Sequence, residues 1–247
     1  MAEDQYEHVL TEPEGDRRVE VWQMFDRIAP TYDLVNRLLS FNLDVRWRRE
    51  VHSHLPKVDD LRLLDLATGT GDQVIAMTRT GGIGSAVGMD MSVEMLAIGR
   101  EKVAEAGLSE VISMENGDAT ALPFEDDSFD AVTISFGIRN VVHVDKALAE
   151  MRRILRPGGR AIILEFSLPR NPVVRLGHLM YLRYVLPLVG GLVSGDWNAY
   201  RYLNTTIEAF PYGEAFAAKM RDAGFEQAQA NPVTFGIATI YVGAAER

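Results

Sequence analysis

The sequence of 247 residues contains no cysteine. This absence excludes disulfide bonds, metal sites with thiolate ligands and any reaction in which a cysteine attacks the substrate. Basic residues are also scarce, with 25 Lys and Arg against 35 Asp and Glu, which gives a formal net charge of −10. Because nucleic-acid affinity depends mainly on clustered basic side chains that neutralise phosphates, we expect neither DNA nor RNA as a partner. No clustered ligand pattern predicts a metal site.

The N-terminal residues lack the apolar core of a secretory signal, because residues 1–20 are acidic and polar. We therefore expect a cytoplasmic protein in which residues 1–20 form an acidic flexible tail. Hydrophobic residues make up 47% of the sequence and charged residues 24%, the balance of an ordinary globular protein with a sizeable core. We expect residues 21–247 to form a single domain.

Short apolar runs alternate with helical patterns through the middle of the sequence. The apolar runs are typical of buried parallel strands and cover residues 61–67, 86–90, 111–117, 129–136 and 160–167. The helical patterns cover residues 72–80, 93–106 and 144–155, and the last one ends at Pro157-Gly158-Gly159. Strands that alternate with helices predict a doubly wound parallel sheet.

The C-terminal part departs from this alternation. A helix over residues 212–223 is followed by two strand-like segments, 225–230 and 235–243, which flank Asn231-Pro232. Because a parallel crossover needs about a dozen residues, these two strands are predicted to be antiparallel. A mostly parallel seven-stranded sheet with an antiparallel last strand resembles the class I methyltransferase fold, an α/β fold of the Rossmann type.

Two segments lie outside the sheet pattern. Residues 21–60 are predicted to form a helical lid, and residues 168–211 a helical insertion between the fifth strand and the last helix. Doubly wound folds bind ligands beyond the carboxyl ends of their strands, so we expect both segments to cover that edge of the sheet.

A glycine-rich turn marks the junction of the first strand and the first helix, where residues 65–72 read Asp-Leu-Ala-Thr-Gly-Thr-Gly-Asp. Gly69 and Gly71 let the backbone approach a ligand closely, although many such turns contain glycines for steric reasons alone. A dinucleotide-binding turn needs a third glycine, and Val74 follows instead. Asp72 at the helix start would repel a pyrophosphate but not the cationic sulfonium of S-adenosylmethionine.

Further carboxylates stand at the ends of the first three strands. Asp65 would add negative charge near the methionine moiety, and Asp90 could accept from both ribose hydroxyls, unless it is only a cap beside Ser92. Asp118 and Ala119 follow the third strand, where a carboxylate and a backbone N–H could read adenine, unless Asp118 is a plain turn former. The glycine-rich turn and the carboxylates at the strand ends together predict S-adenosylmethionine as the cofactor.

Two long motifs stand out, residues 32–36 continuing through Ser40 to Trp47, and residues 153–167. The first is similar to the YDxMN…S…HxxW signature, and the second to the RVLKPGG…ExS signature, of the ubiquinone/menaquinone biosynthesis C-methyltransferase family. Further similar blocks are DATALPF, ISFGIRNV and AYRYL. Val35 and Asp44 depart from the family pattern, which has Met and His there, so Asp44 is left out of the predicted site.

The resemblance implies methylation of a ring carbon of a lipophilic polyprenyl quinol. ATGTGD and IEAFP are closer to the demethylmenaquinone enzymes, with the 2-methoxy-6-polyprenyl-1,4-benzoquinol of ubiquinone biosynthesis as the alternative substrate. Several residues match the family's cofactor-binding positions, and the full predicted cofactor-binding set is Asp65, Gly69, Thr70, Gly71, Asp90, Met91, Asp118, Ala119 and Ser135.

Ring-carbon methylation requires stabilisation of the quinol anion, because loss of the hydroxyl proton makes the neighbouring carbon nucleophilic. Arg139 and Asn140, just past the fourth strand, are candidates for this task. The proton acceptor is left open between His143, Asp33 and water, although His143 is more often a plain helix-start residue. Tyr32 either stacks on the quinol or is an ordinary packing residue.

Residues 173–189 are strongly apolar, yet Arg175, His178 and Arg183 fall on one side at helical spacing. Internal charges argue against a membrane span. We expect either a peripheral helix at the inner face of the cell membrane, or a helix that covers the active site or forms a homodimer face.

Two other classes of function compete with a methyltransferase. The missing third glycine and Asp72 disfavour a nicotinamide-dependent dehydrogenase. A scaffold that binds S-adenosylmethionine without catalysis would be expected to lose the Arg139-Asn140 pair, and both residues are present.

Overall fold

A computed structural model describes residues 14–246, with side chains from Val21 onward. Residues 1–13 of the predicted acidic tail lie outside the described residues, and residues 14–20 belong to the first helix. The strands are β1 Leu61–Leu66, β2 Ile83–Asp90, β3 Ile112–Asn116, β4 Phe129–Ser135, β5 Leu155–Phe166, β6 Glu226–Val233 and β7 Ala238–Ala245. The helices are α1 Glu14–Leu39, α2 Leu43–Ser53, α3 Asp72–Arg79, α4 Val93–Glu105, α5 Val144–Ile154, α6 Pro172–Met180, α7 Leu186–Ser194, α8 Trp197–Ala209 and α9 Glu214–Asp222.

The seven strands form one sheet in the order β3-β2-β1-β4-β5-β7-β6. Strands β1 to β5 are parallel, and β7 is antiparallel to both of its neighbours, β5 and β6. This arrangement confirms the predicted mostly parallel sheet with an antiparallel last strand. The strand order reverses between β1 and β4, and doubly wound sheets bind ligands at such a reversal.

Both faces of the sheet are covered by helices, as β5 illustrates. Ile163 packs into a core that includes Met151 of α5 and Phe216 of α9. Its neighbour Ile162 points to the other face, into a core that includes Trp47 of α2 and Val74 of α3. Burial on both faces explains why the central strands are apolar runs rather than alternating patterns.

The predicted boundary between α5 and β5 is wrong. The sequence predicts a helix through residue 155 and a strand from residue 160, whereas β5 already begins at Leu155, which pairs with Phe129 of β4. Pro157, Gly158 and Gly159 lie inside the strand, at a register shift against β4. Gly158 has a φ of 84°, a conformation that glycine tolerates at an irregularity of this kind.

A third core lies beyond the carboxyl ends of the strands. It joins α1 to α6, α7 and α8, the helices of the predicted insertion. A π-helical turn at Tyr181–Val185 links α6 to α7. Helix α1 contains Pro30, which cannot donate the backbone hydrogen bond to residue 26. These helices and α2 complete the walls of two cavities described below. The division into tail, lid and insertion stays a prediction.

Candidate active site

The glycine-rich turn between β1 and α3 adopts conformations that depend on its glycines. Gly69 has a φ of 56° and Gly71 a φ of 80°, both in the left-handed region that favours glycine. A third glycine, Gly99 of α4, lets that helix pack directly against the turn, because a Cβ there would lie 3.3 Å from the carbonyl carbon of Thr70. The turn is therefore held tightly between β1 and α4.

Asp90 at the end of β2 is tied to this turn. One carboxylate oxygen accepts a hydrogen bond from the Gly69 N–H at 2.8 Å, and the other accepts from the Ser92 N–H at 2.9 Å. Burial raises the pKa of Asp90 above its ordinary value, and the backbone donors oppose that rise. The predicted cap role is thus present, but each carboxylate oxygen retains a further lone pair for a ligand hydroxyl.

A cavity of about 120 Å³, the first cavity, opens at the carboxyl ends of β1, β2, β3 and β4. Six of the nine predicted cofactor residues line it: Gly69, Asp90, Met91, Asp118, Ala119 and Ser135. The Asp118 carboxylate accepts from both the N–H and the hydroxyl of Thr120, each at 2.8 Å, so the predicted turn-forming role is also real. The predicted residues Asp65, Thr70 and Gly71 do not line this cavity.

Asp65 lies beneath the first cavity in the middle of the sheet, with 1% of its surface exposed. Its carboxylate accepts hydrogen bonds from the hydroxyls of Thr68 at 2.7 Å and Thr133 at 2.6 Å. Burial raises its pKa to about 6. Asp65 therefore cross-links β1 to β4 at the point where the strand order reverses.

Thr70 and Asp72 belong to a polar network outside both cavities. Lys102 of α4 contacts both Asp72 and Asp33, the latter at 2.8 Å, and the Thr70 hydroxyl donates to Asp33 at 2.7 Å. Arg37 also pairs with Asp72, at 3.2 Å. Because Lys102 and Arg37 balance the charges of Asp72 and Asp33, Asp72 discriminates less between a pyrophosphate and a sulfonium than its position in the sequence indicates.

A second cavity, of about 300 Å³, lies beside the first and under α1, α2, α6 and α8. Most of its lining is apolar or aromatic, as expected for a site that takes a hydrophobic ligand. The two cavities share four lining residues, namely Phe25, Tyr32, Phe136 and Asn140. A group bound in one cavity would therefore face a group bound in the other across a wall of three rings and one amide.

Arg139 lines the second cavity, but its charge is balanced. Its guanidinium pairs with Glu165 at 2.8 Å, and both side chains are at most 5% exposed. It also donates to the Phe136 carbonyl at 2.6 Å and lies 5.5 Å from the centre of the Phe166 ring. Sequence reasoning treated Arg139 as a lone cation and missed Glu165, although Glu165 stands within one of the family motifs.

Unpartnered polar atoms converge on the second cavity. Among the described residues, five buried side-chain atoms have no hydrogen-bond partner, and four belong to residues that line this cavity. These four atoms are Arg48 Nε, Arg139 Nε, Asn140 Oδ1 and His178 Nε2. Buried polar groups in native proteins are normally paired, so four orphans around one cavity indicate a ligand that completes them. The sequence analysis singled out neither Arg48 nor a cavity-facing His178.

The predicted proton acceptors lie away from this cavity. Asp33 is held by Lys102 and Thr70, and His143 precedes α5 beside the surface residues Asp145 and Lys219. Tyr32 does line both cavities, and burial raises its pKa above the ordinary value, so it stays protonated. Its ring meets Phe25 edge-on at 6.0 Å, so both the stacking and the packing role predicted for it remain compatible with its position.

The predicted basic face of residues 173–189 forms only in part, because Arg175 and Arg183 are exposed and His178 is not. His178 is 8% exposed and lines the second cavity, and Arg183 pairs with Glu208 at 2.5 Å. Large apolar side chains are exposed on the same segment, namely Val173, Leu176, Met180, Tyr184, Leu188 and Leu192. We call these six residues the exposed apolar face. Residues 172–194 are also long and apolar enough to cross a membrane, but core helices of other proteins meet the same criteria.

Comparison with known sequences identifies relatives over nearly the whole chain. Residues 12–245 match the profile of the ubiE/COQ5 methyltransferase family. The chain is 47% identical over 235 residues to the ubiquinone/menaquinone biosynthesis C-methyltransferase UbiE of Geobacter sulfurreducens, covering 95% of this chain and 90% of the relative. It is 49% identical over 220 residues to the demethylmenaquinone methyltransferase of Thermus thermophilus, covering 89% and 99%.

Solved structures agree on the fold. A possible histamine N-methyltransferase of Thermotoga maritima superposes with a TM-score of 0.66 at 20% identity, covering 91% of this chain and 99% of that one. A putative S-adenosyl-L-methionine-dependent methyltransferase of Methanococcus maripaludis gives a TM-score of 0.64 at 19% identity, covering 90% and 94%. At such low identity these likenesses establish the class I methyltransferase fold and nothing finer.

Proposed function

Because this chain belongs to the ubiE/COQ5 methyltransferase family, we propose that it transfers a methyl group from S-adenosylmethionine to a ring carbon of demethylmenaquinol, which yields menaquinol. The observation that carries this proposal is the second cavity, an apolar chamber with cationic groups that adjoins the first cavity through Phe136 and Asn140. Relatives named for menaquinone biosynthesis at 42–49% identity support the choice of substrate.

The first cavity fits S-adenosylmethionine. Asp90 presents carboxylate oxygens to it, as a ribose diol requires, and the Asp118-Ala119 turn presents a carboxylate and a backbone N–H suited to adenine. Met91 and Ser135 complete the proposed binding set along with Gly69. When bound, this cofactor supplies an electrophilic methyl group on a cationic sulfur.

Asp65, Thr70 and Gly71 support the site from outside the cavity. Asp65 joins the strands below it, and Thr70 joins the turn to α1 through Asp33. We assign these three residues to positioning rather than to direct contact.

Arg139 and Asn140 face the reacting ring of the quinol in our proposal. The Arg139 Nε–H has no partner and can donate to a ring oxygen, while Glu165 holds the rest of the guanidinium in place. The orphan Asn140 Oδ1 can accept from a quinol hydroxyl. A donor prepared in advance in a site that excludes water stabilises a developing oxyanion strongly. Since neither Asp33 nor His143 lines either cavity, we propose that water takes the hydroxyl proton.

The exposed apolar face suits a peripheral position on a membrane, where the isoprenoid tail of the substrate resides. Its six members recur at intervals of three or four residues along residues 173–192, so they share one side of the helical segment. Phe41, 74% exposed, both lines the second cavity and contacts Tyr181 of the same segment. The mouth of the chamber therefore adjoins the face that would meet lipid.

Vesicle co-sedimentation tests this position. The double variant Leu176→Gln and Leu188→Gln is expected to lose most of its binding to vesicles of phosphatidylcholine and phosphatidylglycerol, while Val58→Gln, an exposed change elsewhere, keeps it. If the double variant instead disrupts a homodimer detected by analytical ultracentrifugation and leaves vesicle binding unchanged, the face is a subunit interface and the membrane proposal is wrong.

The reaction itself is tested with purified protein, labelled S-adenosylmethionine and two short-chain quinols. We expect a short-chain demethylmenaquinol to yield the corresponding menaquinol, detected by mass spectrometry, with much less product from 2-methoxy-6-prenyl-1,4-benzoquinol. Preference for the benzoquinol would move the enzyme to ubiquinone biosynthesis, and no product from either quinol would overturn the proposed function.

A further inference from the structure

Arg48 of α2 is a half-buried cation that lines the second cavity. Its buried Nε has no hydrogen-bond partner, and no carboxylate of the described residues forms an ion pair with its guanidinium. The ring of Phe136 faces it, with its centre 5.6 Å from the guanidinium carbon. A cation–π contact offsets only part of the cost of removing a charge from water, so the site is suited to an anion.

The two arginines of the cavity differ in net charge. Glu165 neutralises Arg139, so that pair presents a donor to the chamber with little net charge. Asp44, four residues before Arg48 on the same helix, also lines the cavity, but it accepts a hydrogen bond from the Ser40 hydroxyl at 2.5 Å and forms no ion pair with Arg48. Arg48 therefore has no direct ion pair, and the carboxylates of Asp65 and Asp72 interact with its charge only from beyond ion-pair distance.

The fold holds Arg48 in position through its neighbours. Trp47 is 2% exposed, packs against Phe136 at 6.0 Å, and donates from its indole N–H to the Thr234 hydroxyl at 2.8 Å. The Arg48 carbonyl accepts from the Gln73 amide at 3.3 Å, which ties α2 to α3. The neighbouring Trp47 side chain and the Arg48 backbone are thus both anchored, which fixes the point from which the Arg48 side chain extends into the cavity.

We propose that Arg48 is the cationic group that binds the ionised hydroxyl oxygen of the quinol, alongside the Nε–H donor of Arg139. This inference rests on the proposed function. It assigns the charge that favours ionisation to α2 rather than to the strand end where Arg139 lies. The other titratable groups facing the chamber are Tyr32, Asp44, Arg139, His178, Tyr181, Tyr200 and Tyr202, and none of them is a cation without a counter-ion in the way that Arg48 is.

The test measures ionisation of a bound phenol, which needs no methyl transfer. The probe is 4-methoxy-1-naphthol, whose phenolate absorbs at longer wavelength than the phenol, titrated against the full-length protein saturated with S-adenosylhomocysteine. We expect the wild type to lower the pKa of the bound naphthol by about one unit or more, roughly a tenfold rise in the ionised fraction. Arg48→Met should abolish most of this shift, and Arg48→Lys should retain part of it.

Arg49→Met, an exposed change on the same helix, is the matched control and should behave as the wild type. Turnover of Arg48→Met should fall by about 10- to 100-fold and recover in part as the pH rises, since external base then supplies the anion. The proposal is overturned if Arg48→Met, with unchanged circular dichroism, lowers the pKa of the bound naphthol as much as the wild-type protein does. It is also overturned if the wild-type protein does not shift the pKa of the naphthol. If the wild type shifts the pKa but methylates no quinol, only the proposed function fails.

Discussion

The first and second cavities share a wall, but their polar side chains are in different states. In the first, Asp90, Asp118 and Ser135 each already have a hydrogen-bond partner within the protein. In the second, Arg48 and Asn140 have buried atoms without any partner. The polar side chains of the first cavity are therefore already held by hydrogen bonds within the protein, whereas the second cavity offers polar atoms that a ligand can pair. A site of the first kind binds through preorganisation, and one of the second kind gains most when charge develops on the ligand.

Disrupting the Arg139 and Glu165 pair should have the largest effect. Arg139→Met is expected to lower turnover by about 100-fold and to destabilise the fold by about 3–5 kcal/mol, because Glu165 then stays buried without its partner. The double variant Arg139→Met and Glu165→Gln should recover most of the stability and none of the turnover. Urea unfolding and steady-state kinetics separate the two effects. Recovery of turnover in the double variant would make Arg139 a structural residue.

The role of the hydrogen-bonded carboxylates of the first cavity is tested at Asp90. Asp90→Asn should weaken S-adenosylmethionine binding by about 10- to 100-fold, because the amide nitrogen cannot accept from a ribose hydroxyl. The fold should persist, since the remaining carbonyl oxygen still accepts from one backbone N–H. Calorimetry measures the affinity, with Glu94→Gln as the control on the neighbouring helix. An unchanged dissociation constant would remove Asp90 from the binding site.

Asp65 tests how a buried carboxylate beneath the first cavity affects the free energy of unfolding. Its folded pKa of about 6 lies above the ordinary value of 3.8, so between these values the folded protein holds a proton that the unfolded chain has lost. The unfolding free energy contributed by Asp65 therefore falls as pH rises from about 4 to 6 and stays low above that. Asp65→Asn should be more stable than the wild type at pH 7 by about 1–3 kcal/mol. Urea unfolding at pH 4.5 should show a much smaller gap, and an equal gap at both values would refute this assignment.

Asp33 should give the smallest effect, because it lies in neither cavity. Asp33→Asn weakens the contact with Lys102 but keeps an acceptor for the Thr70 hydroxyl, so turnover should fall by less than about tenfold. The shape of the pH–rate profile should not change. A loss comparable to that of Arg139→Met, together with a lost limb of the pH profile, would restore Asp33 as the general base.

Sequence reasoning reached the first cavity because its parts are local. The residues at Gly69, Asp90 and Asp118 follow successive strands, and parallel strands bring their carboxyl ends to one edge. The second cavity could not be predicted in this way. Arg48 of α2 and His178 of α6 lie 130 residues apart in sequence, and only tertiary packing brings them to one chamber. Helical periodicity places His178 on one side of its helix with the basic residues, but it does not indicate whether that side faces solvent or the protein interior.

The charge partners of Arg139 and Asp33 could not be predicted for a related reason. Glu165 lies in an apolar strand and Lys102 in an ordinary helix, and neither pattern distinguishes a paired charge from a solvated one. The strained residues Ala67 and Phe136, with φ of 46° and 59°, also line the first cavity without any sequence signal. Such features depend on tertiary packing rather than on local propensity.

Pro30 divides α1 into two halves that are fastened at different places. Before it, Asp26 accepts from the Ser92 hydroxyl at 2.5 Å, and after it, Asp33 joins Thr70 and Lys102. The carbonyl of Asp26 lacks the helical donor that a non-proline residue 30 would supply. Phe25 before Pro30 and Tyr32 after it each line both cavities, so both halves of α1 form part of both walls. Because the two halves are anchored separately on either side of the proline, a displacement of either half would alter both cavities at once.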